Sequence, residues 1–233
     1  MKVALITGGS RGIGLAMAKA FAAAGYAVII TSRDDARLKK AVGEVKGSAG
    51  SVEGSICNVS DPASVQKLFA AIRQNYGSID VLVNNAGVAH ELLGVEKLPL
   101  ETWKRVIDTN LTGTFLVTQA ALPLMKAGST IVNNLSVAAL QPFAGMSAYN
   151  ASKFGTLGFT KALREEVRKQ GIRVLALIPG ATDTEIWQQF WPDAPRAKMI
   201  SPETVALAVL HAVSAPPAAA IEEICIGPTA GVL

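Results

Sequence analysis

The sequence predicts an α/β chain, a doubly wound parallel sheet of about seven strands with helices on both faces. Three observations carry this expectation. Apolar runs of strand length alternate about six times with stretches of helical period, the repetition that right-handed crossovers turn into a parallel sheet. Most of these runs show little polar alternation, as expected of strands covered on both faces. A glycine-rich turn follows the first run directly, where such a sheet joins its first strand to its first helix.

In chain order, strands are expected at Val3–Ile6, Ala27–Thr31, Val52–Cys57, Ile79–Val83, Thr130–Asn134, Val174–Ile178 and Ile221–Ile226. Helices are expected at roughly 13–24, 35–46, 62–75, 100–126, 148–170 and 202–213. The first helix sets Ile13, Met17, Phe21 and Ala24 on one face and then meets Gly25, where a C-terminal cap belongs. Asp61-Pro62 and Ser201-Pro202 each place a capping side chain before a proline at the first helical position. No repeat, low-complexity stretch or linker divides the chain, so residues 1–233 are expected to form a single domain. In such sheets ligands bind outside the carboxyl ends of the strands, near the switch in strand order, and motifs at those ends carry most weight.

Half of the residues are hydrophobic and 17% are charged, which excludes a disordered chain. The net charge of +4 is spread along the sequence. Its one bunch, Arg164, Arg168 and Lys169, reads as a solvated helix face and not as a nucleic-acid surface. Cys57 and Cys225 fit neither a CxxC nor a metal-ligand spacing and sit in apolar runs, so both are expected to be reduced core residues, with no metal site. Met1 to Gly8 pass straight from a strand into the glycine turn, leaving no room for a signal peptide. Residues 127–152 carry no charge, but Gly128, Asn133, Asn134, Gln141 and Pro142 interrupt them, which is not a membrane span. The expectation is a soluble, cytoplasmic protein with neither nucleic acid nor membrane as partner.

The glycine turn reads Thr7-Gly8-Gly9-Ser10-Arg11-Gly12-Ile13-Gly14. Glycines let a backbone turn sharply and approach a ligand closely, and the helix that follows offers unpaired N–H groups to a phosphate. The spacing is GxxxGxG, unlike the GxGxxG of the commonest dinucleotide fingerprint and unlike an ATP-binding loop, but its place between strand and helix points to a dinucleotide. The second strand then selects which one. NAD-binding chains usually end it with an acid for the ribose hydroxyls, whereas here it ends Ile30-Thr31-Ser32-Arg33. Arg33 and Arg11 could flank a 2′-phosphate bidentately, with Ser32 as a further donor, which favours NADP(H) over NAD(H).

Tyr149-Asn150-Ala151-Ser152-Lys153 places a phenol and an ammonium four residues apart, on one face of a helix. The pair alone is weak, since Tyr-x-x-x-Lys arises by chance in roughly one sequence in six of this composition. Its chemistry is coherent nevertheless. A lysine cation favours phenolate and lowers a phenol pKa, and a tuned tyrosine can protonate the alkoxide that hydride delivery to a carbonyl creates. Ser136 and Asn110 are candidates to hold the carbonyl and relay the proton.

Taken together, Thr7-Gly-x-x-x-Gly-Ile-Gly14, Asn84-Asn-Ala-Gly87, Asn110, Ser136, Tyr149-x-x-x-Lys153 and Pro179-Gly180 resemble, in order and spacing, the short-chain dehydrogenases/reductases. The resemblance runs from about residue 2 to 213 and implies a Rossmann-like fold and a carbonyl reductase or alcohol dehydrogenase activity. It implies Tyr149 as general acid/base, Lys153 as its pKa-lowering partner and nicotinamide-ribose ligand, Ser136 as the carbonyl-orienting hydroxyl and Asn110 as the anchor of a relay water. For the cofactor it implies Gly8, Ser10, Arg11, Gly12, Ile13 and Gly14 in the turn and Ser32 and Arg33 after the second strand. Asn58 and Val59 would follow the third strand, and Asn85, Ala86 and Gly87 would lie beside the adenosine. Pro179, Gly180, Thr182 and Thr184 would lie against the nicotinamide.

Two departures stand out. The family usually has Asp after the third strand to contact adenine, and here Cys57 is followed by Asn58. The tail, with Ala215-Pro216-Pro217 and Glu222-Glu223-Ile224-Cys225-Ile226-Gly227-Pro228, looks more like that of broad carbonyl or hydroxy-acid dehydrogenases and argues against an acyl-carrier substrate. The segment 181–200, which covers the substrate in the family, carries Trp187, Phe190 and Trp191, which either wall an apolar pocket or seal the loop to the core or to a neighbouring subunit. His90 is expected to be a solvated loop residue and His211 structural. Ala151, Gly155 and Gly158 make the helix from Ala148 a candidate for close helix pairing, as in the family's twofold interface, so a homodimer or homotetramer is expected. The alternative on the same fold is a non-catalytic NADP(H)-binding sensor, although such relatives generally lose the tyrosine or lysine that this chain keeps.

Overall fold

The computed structural model of the chain describes residues 1–45, 49–216 and 218–231. Seven strands among the described residues form one sheet: β1 (Val3–Ile6), β2 (Ala27–Ser32), β3 (Ser51–Ile56), β4 (Val81–Asn84), β5 (Thr130–Asn134), β6 (Arg173–Pro179) and β7 (Glu223–Ile226). Their order is β3-β2-β1-β4-β5-β6-β7, and every pairing is parallel. Ile6 of β1 stands opposite Ile30 of β2 on one side and Val83 of β4 on the other. The winding reverses between β1 and β4, and a crevice opens there at the carboxyl ends of the strands.

The helices are α1 (Gly12–Ala23), α2 (Asp35–Val45), α3 (Pro62–Asn75), α4 (Leu100–Ile107), α5 (Gly113–Ala121), α6 (Ser147–Val167) and α7 (Pro202–Val213). Successive strand residues point to opposite faces, so the sheet divides the core in two. Ala4 and Ile6 of β1 pack with Met17 and Phe21 of α1, Leu38 of α2 and Val205 of α7. Val3 and Leu5 pack with Leu68 of α3, Val117 of α5 and Leu163 of α6. The expected helix signals hold: Asp61 accepts from the Ala63 N–H at 3.0 Å, Ser201 from that of Thr204 at 3.1 Å, and Gly25 closes α1 at φ 82°.

Several expectations change. Ala24 lies exposed beyond the buried face of α1, which is instead made by Met17, Ala18, Phe21 and Ala22. The helix expected over 100–126 is broken into α4, a π-helical turn at Asp108–Thr112, α5 and a 3₁₀ turn at Leu122–Leu124, where Pro123 lacks the N–H that the ladder needs. Cys57 is buried, but Cys225 is exposed, because β7 lies at the edge of the sheet where no further strand covers it. Arg164 is no solvated residue: its guanidinium donates to the Val174 carbonyl at 3.1 Å and the Glu222 carbonyl at 2.7 Å, tying α6 to the β6–β7 edge. Among the described residues no helix is long and apolar enough to cross a membrane.

Candidate active site

The carboxyl ends of the strands surround one cleft of about 840 Å³. Its floor at β1 is the glycine turn. Gly8 (φ 63°) and Gly12 (φ 53°) adopt a left-handed backbone that a side chain would strain, and a β-carbon on Gly12 would sit 3.1 Å from the Thr184 methyl. Gly9 has a different reason: its β-carbon would fall 2.7 Å from Ile30, so its absence lets the turn approach β2. No side chain caps the start of α1 and no acid stands in its first turn, which leaves the N-terminal N–H groups and the positive end of the helix dipole facing the cleft. This cradle fits a phosphate-bearing dinucleotide.

Thr7, which opens the glycine-turn motif and carries no assigned role in the sequence, joins the two central strands. Its hydroxyl donates to the Val83 carbonyl at 3.3 Å and accepts from the N–H groups of Asn85 and Ala86, both at 3.0 Å. The Asn85 amide reaches back to the carbonyls of Thr7 and Gly8 and accepts from the Asn134 amide at 2.8 Å. Asn84 points the other way, into the core, where it bonds Thr118 and Asn133. Of the Asn-Asn-Ala-Gly run, therefore, Asn85, Ala86 and Gly87 line the cleft.

The four candidate catalytic residues converge from three elements. Asn110 sits in the π-helical turn, where its carbonyl accepts from Thr114 at 2.8 Å and Thr156 at 3.3 Å. The widened turn lets the Asn110 side chain clamp Val88, accepting from its N–H and donating to its carbonyl at 2.9 Å each, and donate to Ser152 at 3.0 Å. Ser136 caps the short turn after β5, accepting from the Ala138 N–H at 3.1 Å, and its hydroxyl lies beside Tyr149, where it favours the phenolate. Lys153 lies one turn along α6, with Nζ 5.5 Å from the Tyr149 ring and donating to the Asn134 carbonyl at 2.9 Å. Ser136, Tyr149 and Lys153 line the cleft, whereas Asn110 stands behind it, buried.

Electrostatics here depart from the sequence expectation. Burial pushes the Tyr149 hydroxyl up to about 12, outweighing the downward pull of the Ser136 hydrogen bond. Burial also lowers Lys153 to about 8. A phenol depressed by its lysine is thus not what the protein alone provides: desolvation of both groups dominates.

At the β2 end, Ser10 donates to Ser32 at 3.2 Å, and Arg33 lies exposed on the rim. Arg37, in the first turn of α2, also lines the cleft, and nothing in the local sequence marks it for that role. Asn58 does not face the cleft; its amide oxygen accepts from the Ser60 hydroxyl at 2.9 Å, and Cys57 and Val59 line the wall instead. At the β6 end, Pro179, Gly180, Thr182 and Thr184 line the cleft together with Gly227 and Pro228 of the tail. A β-carbon on Gly180 would approach the Gly227 backbone to 3.1 Å, so the two glycines permit β6 and the tail to meet.

The segment 181–200 closes over the other end. Trp187 packs against Phe190 with ring centroids 4.8 Å apart and against Trp191 at 6.1 Å, and all three line the cleft. Gln189 holds the segment to the opposite wall by accepting from the Ala89 N–H at 3.0 Å. His90 is buried, not solvated: Nδ1 donates to the Glu91 carbonyl at 2.7 Å and Nε2 is enclosed. His211 is exposed on α7.

Comparison with known proteins agrees with this geometry. The family model described as short chain dehydrogenase matches residues 2–195. The chain is 41% identical over 186 residues to a ketoacyl reductase of the granaticin polyketide synthase of Streptomyces violaceoruber, covering 78% of this chain and 68% of that one. It is similar in structure, with TM-score 0.91 and 29% identity over 98% of this chain and 97% of that one, to an alcohol dehydrogenase from the archaeon Thermococcus sibiricus solved with 5-hydroxy-NADP. A 3-ketoacyl-(acyl-carrier-protein) reductase from Brucella melitensis solved with NADH superposes with TM-score 0.88 at 32% identity, over 97% and 96% of the two chains. The protein is an oxidoreductase belonging to the short-chain dehydrogenase family.

Proposed function

We propose that this chain is an NADP(H)-dependent reductase of small, uncharged, apolar carbonyl compounds, with Tyr149, Lys153 and Ser136 as its catalytic residues and Asn110 as a positioning residue behind them. The observation that carries the reading is the hydroxyl pair of Ser136 and Tyr149 on the cleft wall, with the Lys153 ammonium behind it and one continuous groove leading to the glycine turn. Gly8, Ser10, Gly12 and the start of α1 would hold the pyrophosphate. Arg11, Ser32, Arg33 and Arg37 would take the 2′-phosphate, because guanidinium forks match phosphate oxygens. Val59, Asn85 and Ala86 would border the adenosine, and Lys153, Pro179, Gly180 and Thr182 the nicotinamide end. The archaeal alcohol dehydrogenase solved with an NADP analogue supports this preference, whereas the Brucella melitensis reductase was solved with NADH.

When bound, the nicotinamide supplies the hydride. Ser136 orients the substrate carbonyl toward it, and the Tyr149 O–H donates its proton to the oxygen as negative charge develops there. With its hydroxyl pushed up to about 12, Tyr149 rests in the protonated form at neutral pH, the form that reduction uses. Lys153, charged below about pH 8, stabilises the phenolate left behind. Asn110 acts at one remove by fixing Val88 and Ser152.

Substrate class follows from the wall beyond Tyr149: Leu92, Val137, Phe143, Met146, Ile186, Trp187, Phe190 and Trp191 line it, and none of these is ionisable. NADPH oxidation against aldehydes, ketones, diketones and 3-oxo esters tests the proposal. Turnover of apolar members is expected, falling about 100-fold or more in Tyr149→Phe with NADPH binding retained. Tight NADPH binding without turnover on any compound in either direction would refute it in favour of the sensor reading.

A further inference from the structure

Glu185 lies within the covering segment, directly after Thr184, and is the first residue of the 3₁₀ turn Glu185–Gln189. Its Oε2 accepts from Arg11 Nη1 at 3.0 Å and lies 3.9 Å from Arg37 Nη1. Arg11 comes from the glycine turn, Arg37 from the first turn of α2, and all three side chains line the cleft on the rim that also carries Arg33. One carboxylate thus gathers guanidiniums from two separate segments at the place where the proposed function seats a 2′-phosphate.

The fold does not depend on this pairing. Glu185 is 61% exposed, and Arg11 and Arg37 are 37% and 55% exposed, so the ion pairs contribute little to stability. The segment is anchored elsewhere. Arg196 donates to the Asp183 carboxylate at 2.6 Å and the Thr184 carbonyl at 2.7 Å, Trp187 donates to the Thr182 carbonyl at 2.8 Å, and Gln189 accepts from Ala89 at 3.0 Å. Asp34 is the other carboxylate on this rim and pairs with Arg37 at 3.3 Å.

We propose that Glu185 is a specificity-determining residue: its carboxylate competes with the cofactor 2′-phosphate for Arg11 and Arg37, and so tempers the preference for NADP(H) over NAD(H). The inference rests on the NADP(H) reading above. Arginine cannot deprotonate, so the guanidiniums stay charged and the contest is between two anions for the same donors. A phosphate must displace Glu185 from Arg11 and then bear its charge nearby. A ligand that lacks the 2′-phosphate leaves the pair intact and is indifferent to it.

The test is direct binding to the full chain. Kd values for NADPH and NADH, followed by nicotinamide fluorescence, are compared between wild type and Glu185→Gln, and 2′,5′-ADP and 5′-AMP are run as probes that differ only in the 2′-phosphate. Glu185→Gln should melt as wild type does, tighten NADPH and 2′,5′-ADP by about 2- to 5-fold at low salt, the size of one exposed charge pair, and leave NADH and 5′-AMP unchanged. The gain should shrink at high salt, where exposed charges are screened. Unchanged or weaker NADPH binding, or equal tightening of NADH, overturns the assignment while leaving the reductase reading standing. Failure of the wild type to bind either nucleotide overturns both.

Discussion

Replacing Lys153 by Met should stabilise the free protein while disabling it, and the pH dependence of that gain is the sharper test. Lys153 is 7% exposed, burial is the sole cause acting on its ionisation, and its Nζ makes one hydrogen bond, to the Asn134 carbonyl. Lowering it from 10.5 to about 8 corresponds to roughly 3 kcal/mol, at ~1.4 kcal/mol per unit. Below pH 8 the lysine is charged in both folded and unfolded chains, so the folded state carries that penalty in full. Between about 8 and 10.5 the unfolded chain binds a proton that the folded one does not, and wild-type stability rises with pH. Met fills nearly the same volume without charge. Leaving the Asn134 carbonyl without its donor returns about 1–2 kcal/mol. Near pH 7 the variant should therefore gain ~1–2 kcal/mol, raising Tm by about 2–8 °C for a chain of this size. By about pH 9.5 the wild type recovers roughly 2 kcal/mol and the advantage should vanish or reverse. Thermal unfolding of the cofactor-free proteins at the two pH values reads both numbers. A variant that melts below wild type near pH 7, or whose Tm difference is the same at both pH values, would refute the claim that desolvation governs this lysine.

Other outcomes follow from the same contacts. Asn110→Ala strands the Val88 N–H and carbonyl and should lower stability by about 2–3 kcal/mol in a denaturant titration; a loss under 1 kcal/mol would mean that the π-helical turn is held by other bonds. Gly9→Ala should destabilise by about 1–3 kcal/mol through its clash with Ile30, and Ile30→Ala in the same chain should recover part of the loss; additive losses would show that no clash exists. Arg33→Asp should weaken NADPH binding by about tenfold or more with NADH binding kept, because it replaces a phosphate donor by a like charge; an unaltered NADPH/NADH ratio would remove Arg33 from cofactor selection. Phe115 and Phe154 lie exposed on α5 and α6, so light scattering at micromolar protein should give a dimer or larger; a monomer would refute self-association.

The parts legible in the sequence were those with local causes. Strand and helix positions follow from hydrophobic period, and Asp61-Pro62, Ser201-Pro202 and Gly25 ended or began helices because capping needs only neighbouring residues. Tyr149 and Lys153 were visible because four residues make about one helical turn, and the glycine turn because the left-handed φ of Gly8 and Gly12 favours glycine. Tertiary structure decided whatever depended on distant partners. The π-helical turn at Asn110 exists through Val88, Ser152 and Thr156, which lie far along the chain and place no periodic mark on residues 100–126. Cys225 read as core because strand sequences do not show which strand takes the edge, and His90 read as solvated because its cover comes from the fold around it. Trp187, Phe190 and Trp191 could equally have sealed the segment to the core or to a neighbour; only the path of the chain turned them into the cleft. Even the chemistry of Tyr149 depended on packing. Spacing brings a cation near the phenol, but burial acts on both groups at once, and in this protein desolvation sets the direction of both shifts.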